Sequence, residues 1–105
     1  MKKILSVFIS SFVIIFASFS ANAVKVGAIY MDSQGFYGGV QKGIITAGGD
    51  MGVELIGNNS QGDVTKESEF IDQLISAGVE AVIMSPVSTE ASVAAVERIR
   101  EAGIP

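Results

Sequence analysis

The segment MDSQGFYGG, residues 31–39, places polar and aromatic side chains together among glycines. Phe36 and Tyr37 are neighbours, and residues with a carboxylate, a hydroxyl and an amide precede them: Asp32, Ser33 and Gln34. Carboxylates, hydroxyls and amides hydrogen bond to hydroxyl groups, and aromatic rings pack against C–H faces. This combination predicts a binding site for a neutral, polyhydroxylated ligand such as a monosaccharide.

Two further polar segments follow apolar runs in the same way. NNSQG occupies residues 58–62, and SPVST occupies residues 85–89. Since ligands of open α/β sheets bind outside the carboxyl ends of the strands, we expect all three segments to share one edge of a sheet. Ser85, which ends its apolar run and begins the polar segment, is therefore a further candidate ligand-binding residue.

The two rings also allow a different interpretation, in which Phe36 and Tyr37 begin a helix and pack into the core. Each ring taken singly fits either interpretation. Adjacent residues at the start of a helix cannot both point inward, so we expect at least one ring to face the ligand.

An enzymatic alternative would use Asp32 and Asp63 as an acid–base pair. Nothing in the spacing of these two residues supports that alternative, and we expect a binding protein rather than an enzyme. The sequence contains no histidine and no cysteine, which excludes metal sites and catalytic triads that depend on them. No cofactor and no metal are expected.

The elements that must position these residues alternate along the chain. Short apolar runs at 24–30, 53–57 and 81–85 predict strands that begin 28 to 29 residues apart. Between and after them, apolar residues recur at helical spacing: Val40, Ile44, Ala47 and Met51; then Phe70, Ile71, Leu74 and Ile75; then Ala91, Ala95, Ile99 and Ala102. This order predicts an α/β fold with an open, doubly wound parallel sheet, βαβαβα.

Polar residues and glycines mark where these helices begin and end. Asp63 is predicted as the N-cap of the second helix, and Ser88 or Thr89 as the N-cap of the third. Glycines are predicted to end the three helices, at Gly48/Gly49, Gly78 and Gly103.

The first 23 residues have the pattern of a secretory signal peptide. Lys2 and Lys3 precede a long apolar run, and the run closes with Ala21-Asn22-Ala23, a small-x-small cleavage pattern. An uncleaved membrane anchor is the alternative, but a strand follows at once, which favours cleavage. The remaining residues, 24–105, carry five basic and eleven acidic residues, a net charge of −6 that argues against a nucleic-acid partner.

The end of the chain resembles the approach to a fourth strand. Ile104 and Pro105 follow the third predicted helix without a further apolar run. We expect residues 24–105 to form an amino-terminal lobe that is incomplete at its carboxyl end, with exposed sheet edges that favour association.

Residues 24–105 resemble the amino-terminal half of the periplasmic sugar-binding proteins of the ribose-binding type, the type I periplasmic binding proteins. The segments that carry the resemblance are VKVGAIYMDSQGFYGGVQKGIITAG, LIGNNSQGDVTKESEFIDQLISAGVEAVIMSPVSTEA and VAAVERIREAGIP. Family features in them are the polar turn with two aromatics, the Lys42-Gly43 pair, the strand that ends in Ser85-Pro86 and the final AGIP.

The resemblance implies a two-lobed periplasmic protein that binds a monosaccharide and delivers it to an ABC importer or a chemoreceptor. Phe36 and Tyr37 match the family's stacking aromatics. Gln34 and Ser85 stand where the family often has asparagine, and Tyr30 stands where a small polar residue is common. The alternative is a periplasmic sensor component that presents its ligand to a membrane receptor kinase.

Overall fold

The computed structural model describes residues 23–105. The predicted signal peptide therefore lies outside the described residues, apart from Ala23. Three strands alternate with three helices in the order β1 (Lys25–Tyr30), α1 (Gly35–Met51), β2 (Glu54–Asn59), α2 (Val64–Ser76), β3 (Ala81–Met84) and α3 (Ala91–Glu101). Within residues 23–105, no helix combines the length and the apolar character that crossing a membrane requires.

The strands form one parallel sheet in the order β2-β1-β3. Val26 of β1 faces Leu55 of β2 on one side and Ala81 of β3 on the other. The predicted α/β fold with an open parallel sheet is therefore confirmed. Because β1 lies in the middle, its residues from Gly27 to Tyr30 are all buried.

The core lies on the face of the sheet that α2 and α3 cover. Ile71 and Leu74 of α2 and Ala95 and Ile99 of α3 pack with Ile29 of β1. Phe70, Ile75 and Ile104 are partly buried against this cluster. The helical spacing predicted these faces of α2 and α3, except that Ala91 and Ala102 are exposed.

The opposite face carries α1, which is packed less tightly. Gly48 is the one buried residue of α1, and it lies against Val53 and Leu55. The predicted apolar face of α1 is not buried: Met51 is 77% exposed, and it lines an apolar groove of ≈280 Å³ together with Ile83. No other helix lies on this face within residues 23–105, which is why the apolar side of α1 stays open.

The structure corrects two of the predicted boundaries. The first helix does not end at Gly48/Gly49 but continues to Met51, and Gly52 ends it in the left-handed conformation at φ 68°. The second strand continues to Asn59, so the first two residues of the NNSQG segment belong to β2 rather than to the loop. The sequence does not distinguish two roles of glycine. A glycine can end a helix, or, as Gly48 does, it can let a helix pack closely against a sheet.

The predicted N-cap of α2 and the predicted glycines after α2 and α3 agree with the structure. Asp63 is the N-cap of α2, where its side chain accepts hydrogen bonds from the Thr65 and Lys66 amides. Gly78 and Gly103 adopt positive φ immediately after α2 and α3. The N-cap residue of α3 is Glu90 rather than Ser88 or Thr89. The Ser88 hydroxyl still accepts hydrogen bonds from the Glu90 and Ala91 amides at the start of the helix.

The last residue approaches the free edge of β3. The Val82 amide donates a hydrogen bond of 2.9 Å to the Pro105 carbonyl. This bond places the end of the AGIP segment beside β3, on the side away from β1.

Candidate functional site: the carboxyl rim of the sheet

The turn between β1 and α1 is held by one carboxylate. Asp32 Oδ1 accepts hydrogen bonds from the Ser33 amide at 2.6 Å and the Gln34 amide at 3.2 Å. Gln34 is extended at φ −122° and ψ 163° and is the N-cap residue of α1. Asp32 therefore satisfies two amides just before the helix, and its side chain remains exposed to solvent.

A close backbone approach gives this turn its shape. The Gly38 amide donates to the Gln34 carbonyl at 2.9 Å. A Cβ atom at Gly38 would lie 2.5 Å from the Ser33 carbonyl oxygen, closer than non-bonded atoms approach. Glycine at this position thus lets the first turn of α1 fold against the residues that precede it.

Both aromatic rings lie outside the core. The side chain of Phe36 is 79% exposed and that of Tyr37 is 38% exposed. Their ring centroids are 5.3 Å apart at an interplanar angle of 81°, an edge-to-face arrangement. Phe36 and Tyr37 do begin α1, as the alternative interpretation expected, but neither ring belongs to the buried core of residues 23–105.

The other two segments reach the same rim through β1. The Ser60 amide and hydroxyl both donate to the Tyr30 carbonyl, at 2.8 Å and 3.1 Å. The Ser85 amide donates to the Ile29 carbonyl at 2.9 Å. These bonds attach the loops after β2 and β3 to the end of the central strand, so all three predicted segments begin at one edge. Ser85 is half-buried there.

The two rim aspartates bind separate backbone segments. Asp32 caps the turn before α1, and Asp63 accepts the amides that begin α2. Each carboxylate is exposed and bonded to its own backbone segment. Each carboxylate thus makes a contact at the start of its own helix, α1 for Asp32 and α2 for Asp63.

Amide side chains from two elements meet beside the rim. The Asn59 amide nitrogen lies 3.4 Å from Gln41 Oε1, which joins the end of β2 to α1. The side-chain oxygen of Asn59, Oδ1, accepts from the Gln61 backbone amide at 2.8 Å. The sequence alone does not identify Gln41, because a polar residue within a helix carries no signal of the strand it faces.

Tyr30 occupies an unusual position at the end of β1. It is 5% exposed, and its hydroxyl has no hydrogen-bond partner among residues 23–105. The ring lies over Gly57, where a Cβ atom would be 2.7 Å from Tyr30 Cε2. Burial raises the pKa of the Tyr30 hydroxyl above its ordinary value, because the phenolate would be poorly solvated there.

The part of the chain that the structure describes does not form a metal site. No group of three or more histidine, cysteine, aspartate or glutamate residues within 23–105 could hold a metal ion. What the rim offers chemically is a pair of exposed rings beside hydroxyl, amide and carboxylate groups.

Comparison with known proteins places the chain in a family. The model of the periplasmic binding protein domain family matches residues 25–105. The ABC transporter periplasmic-binding protein YphF of Escherichia coli (strain K12) is 45% identical over 93 residues, 87% of this chain and 28% of that protein. The xylitol-binding protein of Mycolicibacterium smegmatis is 27% identical over 86 residues, 82% of this chain and 25% of that protein.

A solved structure shows the same architecture. An ABC transporter solute binding protein from Bacillus halodurans C-125 with bound myo-inositol superposes with a TM-score of 0.75 at 25% identity, over 82% of this chain and 31% of that one. The present chain thus spans about a quarter to a third of the length of these proteins. The family model covers most of the chain, and the solved structure shares its fold: the chain belongs to the periplasmic binding protein domain family.

Proposed function

We propose that this chain supplies the amino-terminal lobe of a periplasmic solute-binding protein that captures a sugar or polyol for an ABC importer. Two relatives support this proposal by name, one as an ABC transporter periplasmic-binding protein and one as a xylitol-binding protein. The structural neighbour holds myo-inositol, which is also a small, uncharged polyol. The family's role is binding, so no bond of the ligand is made or broken in this function.

The observation that carries the proposal is the exposed ring pair on the rim. Phe36 leaves most of its ring accessible, and Tyr37 leaves more than a third. A ring of ~150–250 Å² that loses half of its exposed area against the C–H face of a ligand contributes roughly 2–3 kcal/mol of binding free energy. An uncharged polyol or sugar has such faces, and its hydroxyl edge needs the polar groups that surround the rings.

We assign the polar contacts to the residues around the rings. The hydroxyls of Ser33 and Ser85, the amide of Gln34 and the carboxylate of Asp32 bond the ligand's hydroxyl groups. Affinity then depends on a second lobe that closes over this rim and excludes water.

Location and partners follow from the same proposal. The protein acts in the periplasm, after a signal peptidase has cleaved the chain between Ala23 and Val24. Mass spectrometry of the exported protein would show Val24 at its amino terminus.

Its protein partner is the membrane permease of an ABC importer, and a chemoreceptor is a second recipient of the ligand-bound form. A sensor that feeds a membrane receptor kinase would use the same lobe, and a kinase gene in place of permease and ATPase genes beside this one would favour that alternative.

The test needs two lobes, so residues 24–105 are joined to the remainder of the Escherichia coli relative. Titration calorimetry with myo-inositol, xylitol and D-glucose measures binding to this two-lobed protein. Phe36→Ala and Tyr37→Ala are each compared with the parent. We expect at least one of them to weaken binding by about 30- to 150-fold, with little change in the melting temperature of the unliganded protein.

Met51→Ala is the matched control. Met51 is exposed to nearly the same extent as Phe36 but lies at the opposite end of α1. Its replacement should leave affinity unchanged. Binding that survives in both ring variants, or that falls equally in the Met51 variant, would overturn the assignment of the rings to the ligand.

A further inference from the structure

We propose that Glu67 is a positioning residue, whose buried carboxylate holds the loop between β3 and α3 so that Ser85 stays in place on the rim. The proposal rests on the proposed function for its effect on binding, while the anchoring itself is a property of this lobe. Glu67 belongs to α2 and makes no contact with the β1–α1 turn in its hydrogen bonds. It acts through other residues.

The first observation is complete burial of an acidic side chain. Glu67 is 0% exposed, whereas the neighbouring acids of α2, Glu69 and Asp72, are exposed. It forms no ion pair within residues 23–105. A buried carboxylate without hydrogen bonds would be strongly destabilising, so its donors identify what the fold uses it for.

Both oxygens of Glu67 accept hydrogen bonds from the β3–α3 region. Oε2 accepts from the Val87 amide at 2.8 Å, and Oε1 accepts from the Ser92 hydroxyl at 2.6 Å. Ser92 is itself 2% exposed, and its oxygen accepts from the Ser88 amide at 3.1 Å. One carboxylate thus holds two consecutive loop amides, one directly and one through a serine.

The surroundings also favour negative charge at this position. Glu67 lies in the first turn of α2, and Ser92 is the second residue of α3. The amino-terminal ends of helices carry partial positive charge, so two such ends stabilise the carboxylate between them. These partial positive charges offset the cost of burying the Glu67 carboxylate, as the charge of a lysine or arginine side chain would in an ion pair.

The anchored amides lie next to the rim. The Ser85 amide is bonded to β1, and Val87 and Ser88 are bonded to the Glu67–Ser92 pair. The short segment between these anchors contains Pro86, whose ring restricts its own backbone angle and that of Ser85. Release of Val87 and Ser88 would leave Ser85 held at one side only, and its hydroxyl would lose its defined position for a ligand.

Two substitutions separate anchoring from simple stability. Glu67→Gln keeps an oxygen for the Val87 amide and places an NH₂ group where the Ser92 oxygen can accept from it. Glu67→Ala removes both contacts. In the two-lobed protein described above, hydrogen exchange of the peptide spanning 85–91 should become about tenfold faster or more in the alanine variant and stay close to the parent in the glutamine variant.

Binding of myo-inositol, xylitol and D-glucose by the same proteins gives the second readout. Affinity should fall by about tenfold in Glu67→Ala and be rescued to within about threefold in Glu67→Gln. Because Glu67→Ala could unfold the lobe, Ser92→Ala is a milder variant that removes one hydroxyl. Ser92→Ala should speed hydrogen exchange of the Ser88 amide more than that of the amides of β1.

The outcomes are distinct. Equal exchange in all variants, or equal acceleration in the glutamine and alanine variants, overturns the anchor. Faster exchange in 85–91 with unchanged affinity overturns the positioning role. If the parent protein binds none of the three ligands, the proposed function fails, and the exchange pattern still decides whether Glu67 anchors the loop.

Discussion

Gly38 shows how one residue determines the shape of the turn that carries the rings. Its amide bonds the Gln34 carbonyl, and its missing side chain lets the Ser33 carbonyl approach. Gly39 has open space around its Cβ position, although it is the next residue of the same helix. Two adjacent glycines in one sequence thus have opposite structural requirements.

Gly38→Ala should therefore destabilise the lobe, whereas Gly39→Ala should not. We expect a loss of about 1–3 kcal/mol in the free energy of unfolding for Gly38→Ala, because the new Cβ pushes on backbone atoms that cannot move aside cheaply. Gly39→Ala should be neutral or stabilising by up to about 1 kcal/mol, since alanine favours the helix. Urea unfolding of the two-lobed protein measures both, and equal effects would contradict the close approach at Gly38.

Tyr30 predicts a loss of stability at alkaline pH. Its folded pKa is raised above 10.0 by burial, so the unfolded chain ionises this tyrosine first. The contribution is fully present below pH 10.0 and is lost as pH rises through the folded pKa.

The measurement uses a Tyr37→Phe background, in which Tyr30 is the one tyrosine of this lobe. Tyr30→Phe should reduce the fall in unfolding free energy above pH 10.0, and it should not destabilise the protein at neutral pH because the hydroxyl has no partner within residues 23–105. Identical alkaline slopes for tyrosine and phenylalanine would refute this account.

At the scale of the elements, the rim is built from strand ends and helix starts. Asp32, Asp63 and Ser88 each accept amides just before or within the first turn of the following helix. The same polar residue types that a ligand could use are thus also needed by the backbone. The structure distinguishes the backbone role from the ligand role. Asp63 caps the amides of α2, whereas the rings of Phe36 and Tyr37 beside Asp32 satisfy no backbone group.

Asp63→Ala should lower stability without changing affinity. The substitution leaves the Thr65 and Lys66 amides without their carboxylate, and the expected cost is about 0.5–2 kcal/mol. Asp63→Asn is the control, since asparagine is also a good N-cap residue and should retain most of the stability. Calorimetry with the three ligands should find unchanged binding in both, and a tenfold loss of affinity would place Asp63 in the binding site instead.

At the scale of the whole molecule, the two faces of the sheet differ in how well they are covered. The face under α2 and α3 holds the core, while the face under α1 leaves Ile45, Met51 and Ile83 between 46% and 77% exposed. Exposed apolar surface of this kind promotes association, and the outer edge of β3 adds backbone groups that can pair with another strand.

Residues 24–105 expressed alone should therefore self-associate. Sedimentation velocity should show species larger than a monomer, and a double variant with Met51→Lys and Ile83→Thr should shift the distribution towards the monomer because it makes the groove beside α1 polar. Val93→Thr on α3 is a control substitution of an exposed residue outside that groove. A monomeric parent with a sharp, cooperative melt would contradict the prediction.

Much of the architecture was determined by the sequence itself. Apolar runs at strand spacing, the helical faces of α2 and α3, and the Asp63 cap all report short-range requirements, because a strand or a helix must bury one side and satisfy its first amides. The ring pair was recognisable because two adjacent large side chains among glycines are unusual, although Phe36 and Tyr37 lie at the start of α1 rather than in a loop. The family resemblance, also read from these segments, agrees with the family model.

Contacts between distant segments could be decided only by the tertiary structure. Glu67 looks like any polar residue of a helix, yet its side chain is fully buried and accepts a hydrogen bond from the amide of Val87, 20 positions further along the chain. Gly48 resembles a helix end in the sequence, but it packs against β2. Met51 on the apolar side of α1 resembles a core residue, but it is exposed. In each case the residue's role depends on which surface lies opposite it, and that surface comes from another part of the chain.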